Sequence, residues 1–162
     1  MMASLLAFKR HDHRHCIEQA LQEAEQLCAR REARLTPLRR RVLELVWQNH
    51  QPSGAYQLLD QLAAGSASRV APATVYRALD FLQEQGLVHR LASLNAYIGC
   101  PHAERHHRGH FLICRHCQAT VEITSSQVAE AIDASARAAG FEAEEEWVEV
   151  LGVCAGCRGR GQ

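Results

Sequence analysis

The sequence predicts an α+β chain, a winged helix-turn-helix domain followed by a small α/β domain. Three observations predict it. Amphipathic helical segments fill most of residues 1–98 and end in two short β-prone runs around a polar turn. A histidine-rich stretch follows over residues 99–110. Two Cys-x-x-Cys pairs, Cys114-Arg-His-Cys117 and Cys154-Ala-Gly-Cys157, then punctuate a strand–strand–helix–strand pattern over residues 111–162.

Each element has a local cause. From His15 to Arg31, Ile17, Ala20, Leu21, Ala24, Leu27 and Cys28 share one helical face. Thr36-Pro37 starts the next helix, with threonine as N-cap and proline at the first position. Leu38, Val42, Leu45 and Val46 point inward there, while Arg39, Arg40 and Arg41 stand on the other face. Pro52-Ser53-Gly54 breaks the chain ahead of a third helix through Leu58, Leu59 and Leu62. Pro72 opens a fourth that ends at Gly86, a C′ glycine. Val75, Ala78, Leu79 and Leu82 form its apolar stripe, with Thr74, Arg77 and Asp80 opposite. Leu87–Leu91 and Ala96–Ile98, around Ala92–Asn95, read as a hairpin, the wing. A plain helical bundle carrying a hairpin is the alternative. Strands are expected at Phe111–Ile113, Thr120–Thr124 and Trp147–Leu151, with a helix capped at Ser125-Ser126 and ended by Gly140.

The 162 residues suffice for one or two small domains with a real core, and 47% apolar content is ordinary. The start has only a short apolar patch without a signal-peptide layout, so a cytoplasmic protein is expected. In a reducing compartment seven cysteines read as metal ligands and buried thiols rather than disulfides. Residues 1–98 hold 12 Lys/Arg against 9 Asp/Glu, and residues 99–162 hold 6 against 9, which points the first half toward nucleic acid.

The paired cysteines predict a tetrathiolate zinc site, since four soft donors in two knuckles form a tetrahedral cage. The 36 residues between the pairs exceed a usual zinc-ribbon gap, so the ion is expected to tie together elements distant in sequence. A redox Cys-x-x-Cys is the rival, but such motifs open helices, and here strands flank the first pair. A second set of donors surrounds the linker: His89, Cys100, His102, His106, His107, His110, His116 and Glu122. Two histidines, a cysteine and a carboxylate suit tetrahedral zinc. One ion gripped by wing, linker and C-terminal strands would fix the angle between the two domains. A catalytic zinc needs an open position, and no nucleophile–base pairing stands out, so no enzyme is expected.

These motifs resemble the ferric uptake regulator superfamily of bacterial metal sensors, in its zinc uptake regulator branch. The resemblance rests on Arg34-Leu35-Thr36-Pro37, Ala55-Tyr56-Gln57-Leu58-Leu59, Ala73-Thr74-Val75-Tyr76-Arg77-Ala78-Leu79-Asp80-Phe81-Leu82, Glu84-Gln85-Gly86-Leu87-Val88-His89 and the knuckles. It runs from about Cys16 to Cys157. The resemblance implies a homodimeric repressor that takes two zinc ions per subunit and clamps AT-rich palindromic double-stranded DNA upstream of zinc-uptake genes. The domains would be 1–98 for DNA, with 1–14 a flexible arm, 99–110 as hinge and 111–162 for dimerisation. The structural zinc would sit on Cys114, Cys117, Cys154 and Cys157, and the regulatory zinc on His89, Cys100, His107 and Glu122. Tyr56 and Arg77 fall where the family reads bases, with Thr74 and Tyr76 at phosphates or, for Tyr76, packed inward. His106 is the alternative to His107 in a linker one residue shorter than in some relatives, with His110 behind it. No histidine follows His116, which argues against an iron sensor, although iron, manganese or peroxide stays the alternative signal. His11, His13, His15 and Cys16 leave a labile third metal site open.

Overall fold

The computed structural model describes residues 13–48, 51–65, 70–103 and 108–159. These divide into two compact units, residues 13–103 and residues 108–159.

The first unit holds α1 (His13–Arg30), α2 (Pro37–Val46), α3 (Ala55–Ala64) and α4 (Pro72–Glu84), then β1 (Val88–Leu91) and β2 (Ala96–Gly99). The expected arm lies outside the described residues up to residue 12, and His13 and Arg14 already belong to α1. Thr36 caps α2 as its sequence requires, its side-chain oxygen accepting from the Arg39 N–H at 3.4 Å. Val42, Leu43, Leu45 and Val46 are buried along α2, so Leu43 joins the predicted stripe while Leu38 is only half-buried. On α4 the stripe is the predicted one: Val75, Ala78, Leu79 and Leu82 are buried, and Thr74, Arg77 and Asp80 are exposed. Gly86 follows that helix with φ +69, the left-handed value a C′ glycine supplies without strain.

The wing is antiparallel, with His89 opposite Ile98 and Val88 opposite Gly99. Ser53 adds an antiparallel bridge, its N–H donating to the Tyr97 carbonyl at 2.8 Å and its carbonyl accepting from the Tyr97 N–H at 2.9 Å. Buried side chains from α1 to α4, with Leu87, Val88, Tyr97 and Cys100, form one core. About 25 cal/mol per Å² of apolar surface removed from water holds it together.

The second unit holds β3 (Gly109–Cys114), β4 (Thr120–Ile123), α5 (Ser126–Ala138), β5 (Trp147–Gly152) and a single turn, α6 (Ala155–Arg158). Ser125 caps α5, accepting from the Val128 N–H at 3.4 Å, and Gly140 ends it at φ +69. The sheet order is β4-β3-β5, with β3 antiparallel to β4 and parallel to β5. The parallel pairing sets Cys114 opposite Gly152, so both knuckles lie at the same end of adjacent strands. β5 is an edge strand of this sheet, and Trp147, Val150 and Leu151 on it are exposed. No described helix is long and apolar enough to cross a membrane.

Candidate metal centres and nucleic-acid interface

The donor atoms of Cys114, Cys117, Cys154 and Cys157 all lie within 4.8 Å of one another. Local folding puts them there. The first knuckle closes as a turn in which the Gln118 N–H reaches the Cys114 carbonyl at 2.8 Å and Gln118 takes φ 57. The second opens α6, with the Cys157 N–H on the Cys154 carbonyl at 3.1 Å. The Arg115 N–H joins the knuckles through the Gly152 carbonyl at 2.9 Å.

The cage fits zinc. A Zn–S bond of about 2.3 Å implies sulfurs about 3.8 Å apart in a tetrahedron. Cys117 Sγ and Cys154 Sγ are 3.8 Å apart. The backbone N–H groups of Cys154, at 3.4 Å, and of Cys117 pull the Cys114 thiol down to about 5. Hydrogen bonding with Cys154 and Cys117 pushes Cys157 the other way, up to about 12. The protein alone thus favours the Cys114 thiolate and resists ionising Cys157; a divalent ion would supply the missing positive charge.

The wing brings together two donors of the second predicted set. His89 on β1 and Cys100, just past β2, are both buried, and their ligand atoms lie within 4.8 Å of each other. The Cys100 N–H is held by the Leu87 carbonyl at 3.0 Å, and Cys100 Sγ accepts from the His102 N–H at 3.4 Å. Glu122 is a buried residue of β4, opposite Phe111. His106 and His107 lie outside the described residues, as does His11. His110 is buried on β3 and bonded to Glu146 at 2.7 Å, and His116 is exposed in the first knuckle.

The predicted nucleic-acid residues are each exposed in the first unit. Thr74, Tyr76 and Arg77 are exposed on α4, Tyr76 at 40%, so it is not packed inward. Tyr56, in the first turn of α3, is 71% exposed. The α2 arginines have other work. The Arg39 guanidinium lies 3.6 Å from the Phe81 ring centroid and donates to the Arg34 carbonyl at 2.6 Å. Arg40 meets Glu25 at 2.7 Å, and Arg41 meets Glu44 at 2.7 Å. What sequence reading missed is Arg108 with Glu146 and Asp133, whose partners are too far along the chain for any local pattern to reveal.

Residues 30–151 match the profile of the Ferric uptake regulator family. The zinc uptake regulation protein of Escherichia coli (strain K12) is 38% identical over 141 residues, 86% of this chain and 82% of that protein. A solved zinc uptake regulator complexed with zinc and DNA is 37% identical, with a TM-score of 0.84 over 89% of this chain and 96% of that one. The crystal structure of holo XcZur is 41% identical, with a TM-score of 0.78 over 86% of this chain and 96% of that one. By profile, relatives and fold, the chain belongs to the ferric uptake regulator family and is similar within it to zinc uptake regulators.

Proposed function

We propose that this chain is a zinc-responsive transcriptional repressor, a regulator and not an enzyme. The observation that carries the reading is the likeness to a zinc uptake regulator complexed with zinc and DNA, spanning 89% of the chain. Two zinc ions per subunit are assigned. Cys114, Cys117, Cys154 and Cys157 hold one as scaffold, since four thiolates leave no open position. His89, Cys100, His107 and Glu122 hold the regulatory one. A thiolate among these donors favours zinc over iron or manganese. When bound, that ion supplies a crosslink between the wing and the C-terminal unit, which shifts the population toward one arrangement competent for DNA.

In this reading α4 is the recognition helix and enters the major groove. Arg77 reads a purine edge, and Tyr56 contacts thymine or backbone. Thr74 and Tyr76 contact phosphates from the exposed face of α4. A palindromic, AT-rich operator of zinc-uptake genes suits a homodimer. Exposed Trp147, Val150 and Leu151 on the β5 edge support dimerisation through the C-terminal unit. A cytoplasmic bacterial location goes with this role.

The test is operator affinity with and without zinc, in protein that keeps its structural ion. Affinity must fall on mild chelation; equal affinity sinks the switch. Metal content discriminates the sites: Cys100→Ser must lower two zincs per subunit to one, and an unchanged count reassigns the regulatory set. Arg77→Ala should cost about 1–3 kcal/mol and relax base preference.

A further inference from the structure

Arg77, Phe81 and Gln85 stand four residues apart along one line of α4, with Gln85 as its C-cap. The last two are gripped by arginines from other elements. The Arg39 guanidinium of α2 lies 3.6 Å from the Phe81 ring centroid. Arg31, just past α1, donates to the Gln85 carbonyl at 2.7 Å, a cation where the helix dipole favours one. The last turn of α4 has no basic residue of its own, and Ala71 gives its N-terminus no side-chain cap. This flank of the helix is therefore held from outside. Arg39 is itself fixed at both ends. Its backbone N–H donates to Thr36 Oγ1 at 3.4 Å, and its guanidinium donates to the Arg34 carbonyl at 2.6 Å.

We propose that Arg39 is a positioning residue for base readout: stacked on Phe81, it sets the rotation of α4 and with it the direction in which Arg77 projects one turn earlier. The buried stripe of Val75, Ala78, Leu79 and Leu82 keeps α4 on the core. Burial of that kind is non-directional, whereas a guanidinium over a ring has a defined geometry. The stripe therefore holds the helix in place, and the stack fixes which way its exposed face looks. Arg39 acts through Phe81 and needs no contact with DNA of its own. The proposal rests on the reading of α4 as the recognition helix.

The experiment uses the full chain with zinc present. The probes are a duplex that the wild-type protein selects from a random pool and a scrambled duplex of the same composition. Arg39→Lys keeps the charge and loses the flat guanidinium. Phe81→Leu keeps an apolar side chain and loses the ring. Each should lower the preference for selected over scrambled duplex by roughly 3- to 10-fold, the range that such a stacked pair can supply. Affinity for the scrambled duplex and its salt dependence should stay those of the wild type. The double variant should lose no more than either single one, since both remove the same pair. Wild-type preference in both single variants overturns the proposal, even where melting temperature falls, because Arg39 is then only structural. So does an Arg39→Ala chain whose salt slope drops by about 1, the mark of a direct phosphate contact. Arg77→Ala separates the proposal from the reading beneath it. Preference lost there but kept in Arg39→Lys and Phe81→Leu leaves the recognition helix standing and overturns the positioning role. Preference kept in Arg77→Ala overturns both.

Discussion

Gly99→Ala is expected to destabilise the first unit through one aromatic ring. Gly99 closes β2 immediately before Cys100, and the Trp47 ring lies directly over it. A β-carbon there would stand 2.2 Å from Trp47 Cε2, 2.3 Å from Nε1 and 2.7 Å from Cζ2. Carbon atoms pack at about 3.5–4.0 Å, so the ring or the strand must yield by roughly 1 Å or more. The strand is pinned by its pairing to Val88 and by the Cys100 N–H on the Leu87 carbonyl at 3.0 Å. The ring, partly buried against the core, is the part that must move. Overpacking of this kind costs about 1–3 kcal/mol, offset by about 0.4–1 kcal/mol from the stiffer unfolded chain. The net expectation is a loss of about 1–2 kcal/mol. The assay is urea unfolding followed by Trp47 fluorescence in a Trp147→Phe background, so that the signal reports this unit alone. Trp47→Leu makes room for the methyl, so adding Gly99→Ala to it should cost little, a coupling that a double-mutant cycle followed by far-UV circular dichroism measures. A Gly99→Ala midpoint within about 0.5 kcal/mol of the parent at unchanged slope would refute the steric argument.

Other expectations are simpler. Thr36→Ala removes the α2 cap and should cost about 1 kcal/mol in the same urea assay, with Thr36→Ser close to wild type. Burial raises the Cys28 thiol above its ordinary 9.0, so the folded chain favours the neutral form. Iodoacetamide at pH 8 should therefore label Cys28 only on unfolding. The contribution of this thiol to stability is full below about pH 9 and is lost as the pH climbs higher, which alkaline melting curves would show. Stripping the four-cysteine site with a strong chelator, or Cys117→Ser, should melt the second unit, read as lost circular dichroism that returning zinc restores only in the wild type.

Local chemistry explains what the sequence reveals and what it hides. The α4 stripe was legible because 3.6-residue periodicity alone decides which side chains face the core. Gly86 and Gly140 were legible because a helix that stops in the left-handed region favours glycine there, although Glu32 takes φ 54 after α1. The four-cysteine cluster was legible from donor type and spacing. The parallel pairing of β3 with β5 was not, since strands separated by α5 carry no local sign of being neighbours. Nor was the internal use of Arg39, Arg40 and Arg41. A charged face reads the same whether its partners are phosphates, Phe81, Glu25 or Glu44. The burial of Leu43 is hidden because the buried face of α2 is wider than a single stripe, and the bridge at Ser53 because its partner Tyr97 is distant in sequence.

The placement of the two knuckles at one end of neighbouring strands bears on how the protein is born. β3 and β4 can close as a hairpin as soon as they leave the ribosome. Cys114 and Cys117 must wait for Cys154 and Cys157, 36 residues after the first pair ends. At elongation rates of about 5–20 residues per second, that wait lasts roughly 2–7 seconds. Through it, two thiols stand at the end of β3 without their partners, one step from sulfenic acid if an oxidant arrives first. Every newly made copy thus holds its first pair of thiols for some seconds before the second pair exists to complete the cage.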